Sequence, residues 1–435
     1  MNPPSFDVGN DAQRAQPDSR YAAFRLAVTL ALMTVSGSGM YVVAVVLPEV
    51  QSEFGIARSQ ASIPYTMLMI GFGVGGMLMG RLADRFGVMI PLLIGAAGLG
   101  LGFIAAGNAT SIWQFAIAHG VLIGALGSST TFAPLIADTS LWWVKRRGIA
   151  VAVCASGNYL AGAIWPPIVQ HFVEAVGWRH TYIGMGLFCA VAMGALATLM
   201  RRRPPLLAAP VPRPGVANEA SRTPERPFGL APSTAQALLC VAGVSCCVAM
   251  SMPQVHIVAY CGDLGFGAAR GAEMLSLMLA CGIVSRLASG VICDRIGGLR
   301  TLLLGSVLQG LALLLFVPFD GLLSLYVISA LFGLFQGGIV PSYAIIVREY
   351  FKPAEAGVRV GTVLMFTMVG MALGGWMSGK VFDLTGSYHA AFLNGVAWNL
   401  LNLAIVLTLW RLARRQGGRD GAGPPQTRSD PLAAA

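Results

Sequence analysis

The chain has 435 residues, 55% of them hydrophobic and 11% charged, with a net charge of +10. Soluble globular domains carry about 25% charged residues, so this composition excludes an ordinary soluble fold. The positive balance comes without an aromatic-interleaved basic patch or a recognition motif, which excludes nucleic acid as the partner.

A polar tail, residues 1–23, leads straight into the first apolar run. It shows no short hydrophobic core followed by a cleavage site, so no removable signal peptide is expected. A helix crossing a bilayer needs about 20 apolar residues. Such runs are expected at 24–48, 60–80, 88–107, 112–140, 148–172 and 180–200. A stretch rich in Pro, Arg and Ala covers 201–233. A second set then follows at 234–258, 268–291, 301–317, 322–346, 358–381 and 388–411, with a tail at 412–435. The runs are too long for strands and lack period-two alternation. The expected fold is an all-α membrane protein of twelve transmembrane helices, in two six-helix bundles (24–200 and 234–411) joined by a flexible or partly ordered linker.

Polar residues inside these runs are few. Span 1 carries no charge between Leu26 and Pro48. Span 4 holds His119, expected as a packing histidine, and Asp138 near its end, expected to pair with loop arginines. Asn158 and Tyr159 lie in span 5. In span 7, Pro253 is expected to break the helix locally and expose backbone to a cavity, beside Gln254, His256 and Tyr260; His256 is of the type that titrates near neutrality. Gln336 lies in span 10. Each of these side chains has a plain reading as an interhelical hydrogen bond and a functional one as a cavity ligand. The eight cysteines have no CxxC or metal-ligand spacing and mostly fall inside spans, where Cys behaves as a small hydrophobe. No metal or cofactor is expected. Nor is an enzyme, for there is no phosphate-binding loop and no nucleophile–base constellation.

Arg286, in span 8, is the most informative single residue. It lies eight residues before Asp294, about 12 Å along a helix. An arginine deep in a span costs about 2.5–3.5 kcal/mol on insertion scales and is tied to function by default. Gly282 and Gly290 occupy the positions one turn away, so no acid pairs with it locally. An unpaired guanidinium in a cavity suits a carboxylate, gripped through two parallel hydrogen bonds; the plain alternative is snorkelling to headgroups or pairing across helices.

Two copies of one charged turn relate the halves. Gly80-Arg81-Leu82-Ala83-Asp84-Arg85-Phe86-Gly87 follows span 2, and Gly290-Val291-Ile292-Cys293-Asp294-Arg295-Ile296-Gly297 follows span 8, 210 positions on. A second repeat ends spans 5 and 11: Glu174 precedes Gly177, and Asp383 precedes Gly386, by three residues each. Duplicated halves with a site between them are the common plan of secondary transporters.

The doubled G-x-x-x-D-R-x-G pattern closely resembles the signature of the major facilitator superfamily, and the resemblance extends over the whole chain. It implies transport by alternating access. It also implies that Asp84, Arg85, Asp294 and Arg295 serve the cytoplasmic gate, their carboxylates accepting bonds at a neighbouring helix N-terminus in the outward-open state and releasing them as the halves rock. Span 2 carries Gly71, Gly75, Gly76 and Gly80, and span 11 carries Gly370, Gly374, Gly375 and Gly379, both GxxxGGxxxG. Glycines four apart let backbones approach closely. In proteins resembling this superfamily helices 2 and 11 meet across the half–half interface, so Gly75 and Gly374 are expected to pack there and act in gating.

Placing the N-terminus in the cytoplasm puts 24 of the 29 Lys and Arg in the tails, the linker and the even-to-odd loops, against 4 on the other side, with Arg286 inside a span. That bias is what the positive-inside rule demands for twelve spans with both termini inside. A multi-pass protein of the plasma membrane, the inner membrane of a bacterium, is expected, acting as a monomer.

The stretch Ser285-Arg286-Leu287-Ala288-Ser289-Gly290 looks like helix 8 of the bacterial monocarboxylate and oxalate/formate carriers, whose arginine at this position binds the substrate carboxylate. Two departures qualify the likeness. Span 1 lacks the acid-Gly-aromatic motif of the monocarboxylate carriers, and Phe366-Thr367-Met368-Val369-Gly370 lacks the lysine of the oxalate/formate carriers. One cationic anchor favours a monoanion over a small dianion. The function expected is proton-coupled secondary transport of a small organic anion, a monocarboxylate, with Arg286, Asn158, Tyr159, Gln254, His256 and Gln336 as substrate ligands. The rivals are a uniporter or exporter of hydrophobic compounds and a transporter-like sensor signalling through the linker.

Overall fold

The computed structural model describes residues 17–203 and 226–420. Most of the expected linker and the outer parts of both tails lie outside the described residues. Among the described residues twelve helices are long and apolar enough to cross a membrane. They are α1 Arg20–Val45, α2 Arg58–Phe86, α3 Met89–Gly107, α4 Ile112–Trp142, α5 Arg147–Val176 and α6 Trp178–Leu199 in the first half. The second half has α7 Pro232–Asp263, α8 Ala268–Ile296, α9 Gly298–Leu315, α10 Leu322–Tyr350, α11 Glu355–Thr385 and α12 Tyr388–Gln416. Every expected span is a helix, and most run past the apolar stretch. Backbone hydrogen bonds, not hydrophobicity, decide where a helix stops. After α2 and α8 it stops at Gly87 (φ 84, ψ 166) and Gly297 (φ 83, ψ 161), a conformation that is essentially glycine's alone.

Four helices are irregular among the described residues, α2 only by a single turn at Ser62 near its start. α1 is interrupted at Gly37. α4 widens into a π-helical stretch over Ala118–Gly127 and tightens into a 3-10 turn at Ser128–Thr130, the kind of departure that recurs at functional sites. α10 is interrupted between Gln336 and Ile339. By contrast α7 is unbroken from Pro232 to Asp263 with Pro253 inside it. The local break expected there is absent, because a proline forfeits one bond to the preceding turn and the packed neighbours carry the helix through.

With twelve spans, both described chain ends and the two Asp-Arg turns share one face, the tail side; the α1–α2, α7–α8 and α11–α12 connections share the other, the far side. The glycine repeats pack differently from expectation. Gly71 and Gly75 lie against the backbone of α4 at Gly120 and Ala125, and Gly370 and Gly374 lie against α7 at Val244 and Val248. Those contacts are within each half. The α2–α11 seam is made instead by the next glycines round the helix: a Cβ on Gly375 would sit 2.9 Å from the Tyr65 ring, and one on Gly379 would sit 2.9 Å from the Arg58 carbonyl oxygen. Glycines at four successive offsets line more than one face of a helix, so the repeat alone does not choose the partner.

Candidate functional site

A cavity of about 310 Å³ lies between the halves. Its wall takes residues from α1, α2, α4, α5, α7, α8, α10 and α11. Among the described residues Arg286 is the one charged residue in that wall. Its guanidinium lies 4.4 Å from the centre of the Tyr159 ring. Nη1 donates to the Ala155 carbonyl of α5 at 2.9 Å, and Nε makes a long contact of 3.4 Å with the Gly337 carbonyl, exposed where α10 is interrupted. Among the described residues no carboxylate pairs with it. The group is thus oriented by an aromatic face and two carbonyls while its charge stays uncompensated. The room for Tyr159 comes from Gly282, one turn before Arg286, where a Cβ would run into the ring.

Asn158, Tyr159 and Gln254 join Arg286 in the cavity wall. Asn158 Nδ2 approaches the Met40 sulfur at 3.7 Å. Gln254 Nε2 donates to Gln336 Oε1 at 3.0 Å, so Gln336 stands behind Gln254, outside the wall, with its own amide nitrogen buried and unpartnered among the described residues. His256 also lies outside the wall. His119 is packed in an aromatic cluster with Phe115, Trp178 and Tyr182, bonded to the Phe115 carbonyl at 2.8 Å and the Tyr182 hydroxyl at 3.2 Å. Asp138 pairs with Arg25 of α1 through two 3.0 Å bonds rather than with a loop arginine.

On the far side the halves are tied together by polar groups that the sequence did not single out as a set. Arg58, at the start of α2, donates Nη1 to Asp263 at 2.6 Å and to the Tyr388 hydroxyl at 2.9 Å, and Nε to Gln51 at 2.8 Å. Asp383, at the end of α11, accepts the backbone N–H groups of Arg58 and Ser59, both at 2.9 Å. A carboxylate there satisfies orphan donors at the positive end of the α2 dipole. His256 extends the chain: Nε2 contacts the Gly375 carbonyl at 2.8 Å and Nδ1 the Tyr388 hydroxyl at 3.1 Å. A carbonyl only accepts, so Nε2 carries the proton and Nδ1 accepts from Tyr388. Nearby, partial burial raises the Glu53 carboxyl, but bonds from Arg179 and Trp178 outweigh it and hold the group below its ordinary range. The sequence signals for this network were His256, read there as a cavity ligand, and Asp383, conspicuous as an acid before a turn glycine.

The tail side is parted. Asp84, Arg85, Asp294 and Arg295 are exposed. Among the described residues, a Cβ on Gly76 or Gly80 of α2, or on Gly357 or Gly361 of α11, would meet nothing within 4 Å. Gly76, Met77, Gly361 and Leu364 line the cavity, which therefore reaches toward the tail side and is capped on the far side.

The family model for the Major Facilitator Superfamily matches the chain over residues 29–323 and again over 239–433. The chain belongs to this superfamily. Such proteins are membrane transporters and not enzymes, and this major facilitator protein is accordingly a multi-pass transporter of small molecules. It is 27% identical over 359 residues to monocarboxylate transporter 13 of Rattus norvegicus, covering 80% of this chain and 78% of that protein. It is 23% identical over 329 residues to the Agnestins efflux protein of Paecilomyces divaricatus, covering 75% and 73%. In fold it is similar to an inward-facing, unoccupied bacterial homologue of the human lysosomal transporter Spinster, with a TM-score of 0.68 at 12% identity over 91% of this chain and 96% of that one. The nucleoside transporter NupG gives a TM-score of 0.69 at 12% identity, covering 90% and 99%.

Proposed function

We propose that this transporter carries a small organic monoanion, of the monocarboxylate type, by proton-coupled alternating access across the plasma membrane of a bacterium, with both termini in the cytoplasm. The observation that carries the reading is Arg286: the one charged residue of the cavity wall, oriented by Tyr159 and Ala155 and paired with no carboxylate among the described residues. Asn158, Tyr159 and Gln254 add hydrogen-bonding groups to the wall beside Tyr41 and Ser129, and Gln336 positions Gln254 from behind. A relative named for monocarboxylate transport supports the same class.

Proton coupling is read from the far side. The neutral His256 accepts from Tyr388 at Nδ1; a second proton there removes that acceptor and adds a positive charge near Arg58, with Tyr260, Asp263 and Asp383 the other titratable groups of the cluster. Protonation thus opposes the closed far side. The cytoplasmic placement of the tails rests on the 24-to-4 distribution of Lys and Arg. A compartment-sensitive reporter fused near Asn218 or after Ala435 is expected to report cytoplasm at both, and an external signal at either would break it.

The deciding experiment is binding of carboxylates to purified Arg286→Ala and Arg286→Lys, normalised to folded protein. Truncation removes a charge-assisted bond worth about 1.5–3 kcal/mol, roughly ten- to a hundred-fold in affinity. Lysine keeps the charge without the planar fork, so partial recovery is expected. Wild-type affinity in the alanine variant would overturn the anion reading. One observation favours the rival, an exporter of hydrophobic compounds: the rest of the cavity wall is overwhelmingly apolar, and a relative is named for efflux. An Arg286→Ala variant that still transports neutral compounds at the wild-type rate would establish it.

A further inference from the structure

The anchor at Arg286 accounts for one wall of the cavity, and the facing wall has a different chemistry. Seven of the cavity residues are methionines, contributed by α1, α2, α7 and α11, out of 19 in the chain. Phe72 and Phe132, with ring centres 6.1 Å apart, stand beside them. Arg286 and Tyr159 come from α8 and α5, whereas Met69, Met365, Met368 and the two phenylalanines come from α2, α4 and α11, with Asn158 of α5 and Ser129 of α4 at the border between them. The cavity is therefore polarised across its width, cationic on the α5–α8 side and oily on the α2–α11 side.

We propose that the ligand of this cavity is an amphipathic monocarboxylate, its carboxylate held at Arg286 and its body a bulky apolar group seated on the methionine and phenylalanine wall. The proposal rests on the anion reading above and extends it to the part of the substrate that does not touch the arginine. Three observations support it. The volume of about 310 Å³ falls at the lower edge of pockets for drug-sized ligands, about 300–1,000 Å³, and an acid the size of lactate would leave most of the oily wall facing water. Among the described residues the α2–α11 wall has no polar or charged side chain, so the hydroxyls of a sugar acid or the second carboxylate of a diacid would be stripped of water without replacement partners. Methionine is unbranched and polarisable, refits to different shapes and packs well on ring edges. Such a wall selects for an apolar body while tolerating variation in its outline.

The test is equilibrium binding to the wild-type chain in lipid nanodiscs, corrected for partition into empty nanodiscs. The probes are acetate, lactate, butyrate, hexanoate and phenylacetate, with hexanamide and adipate as controls. Burying a methylene is worth roughly fourfold in affinity, so hexanoate is expected to bind more than 100-fold tighter than acetate. Hexanamide and adipate are expected at least tenfold weaker than hexanoate. In Met365→Gln and Met368→Gln, hexanoate and phenylacetate should weaken about tenfold while acetate is unchanged. An affinity that stays flat from acetate to hexanoate, or lactate binding as tightly as hexanoate, would overturn the apolar-body inference and leave the anchor standing. Hexanamide binding as tightly as hexanoate would instead overturn the anion reading, and the proposal with it.

Discussion

Arg25 and Asp138 show what a charge pair inside a membrane protein demands. Their side chains are only 3% and 4% exposed, and the two nitrogen–oxygen bonds between them are both 3.0 Å. Arg25 also stacks 4.9 Å from the Trp142 ring centre. Removing one member leaves the other buried and uncompensated, a loss of about 3–5 kcal/mol, whereas replacing both by apolar groups of like size is close to neutral. Arg25→Met and Asp138→Leu should each lower the thermal midpoint of the purified protein, and the double variant should regain most of it. Single variants that melt with the wild type would show the pair to be dispensable. The sequence put Arg25 among the tail cations and Asp138 with loop arginines, because a partner 113 positions away is fixed by how α1 and α4 pack and by nothing local. Arg286 was legible for the opposite reason: its meaning lies in having no local partner at all.

At the scale of helices, the spans were readable because about 20 apolar residues in a row have few other uses. Their interruptions in α1, α4 and α10 were not, since each depends on a neighbour pressing close. The glycine repeats illustrate the limit. Their spacing announced close packing correctly, but Gly75 and Gly374 meet α4 and α7 inside the halves, and Gly375 and Gly379 meet α2 across them. This assigns different outcomes to adjacent positions. Gly75→Leu and Gly374→Leu drive a side chain into backbone and should cut the amount of folded protein. Gly76→Leu and Gly80→Leu enter open space in this state, so they should fold at wild-type levels. The proposed alternating access requires a tail-side closure that would bring that face of α2 toward α11, so both should transport slowly. Measuring abundance and uptake side by side decides it; Gly76→Leu and Gly80→Leu with unimpaired uptake would remove the role in closure.

For the whole molecule, the arrangement amounts to a capped far side and a parted tail side, and the cap is a small number of charged bonds that can be broken singly. Arg58 reaches Asp263 and Tyr388, Asp383 holds the start of α2, and His256 is tied to Tyr388 behind them. Each charge-assisted bond is worth about 1.5–3 kcal/mol, so losing one should move the balance between far-side-closed and far-side-open forms roughly ten- to a hundred-fold. Spin labels at Ser52 and Gly262, exposed residues on opposite halves, would report the separation, with the eight native cysteines replaced. The parent should give one short distance at neutral pH; Arg58→Ala and Asp383→Asn should add a longer one. His256→Gln keeps a hydrogen-bonding side chain but cannot take up a proton, so it should retain the short distance yet lose uptake driven by an imposed pH gradient. A distance distribution unchanged in Arg58→Ala and Asp383→Asn would show that these bonds do not hold the far side shut. Gradient-driven uptake that survives in His256→Gln would move the proton to another group.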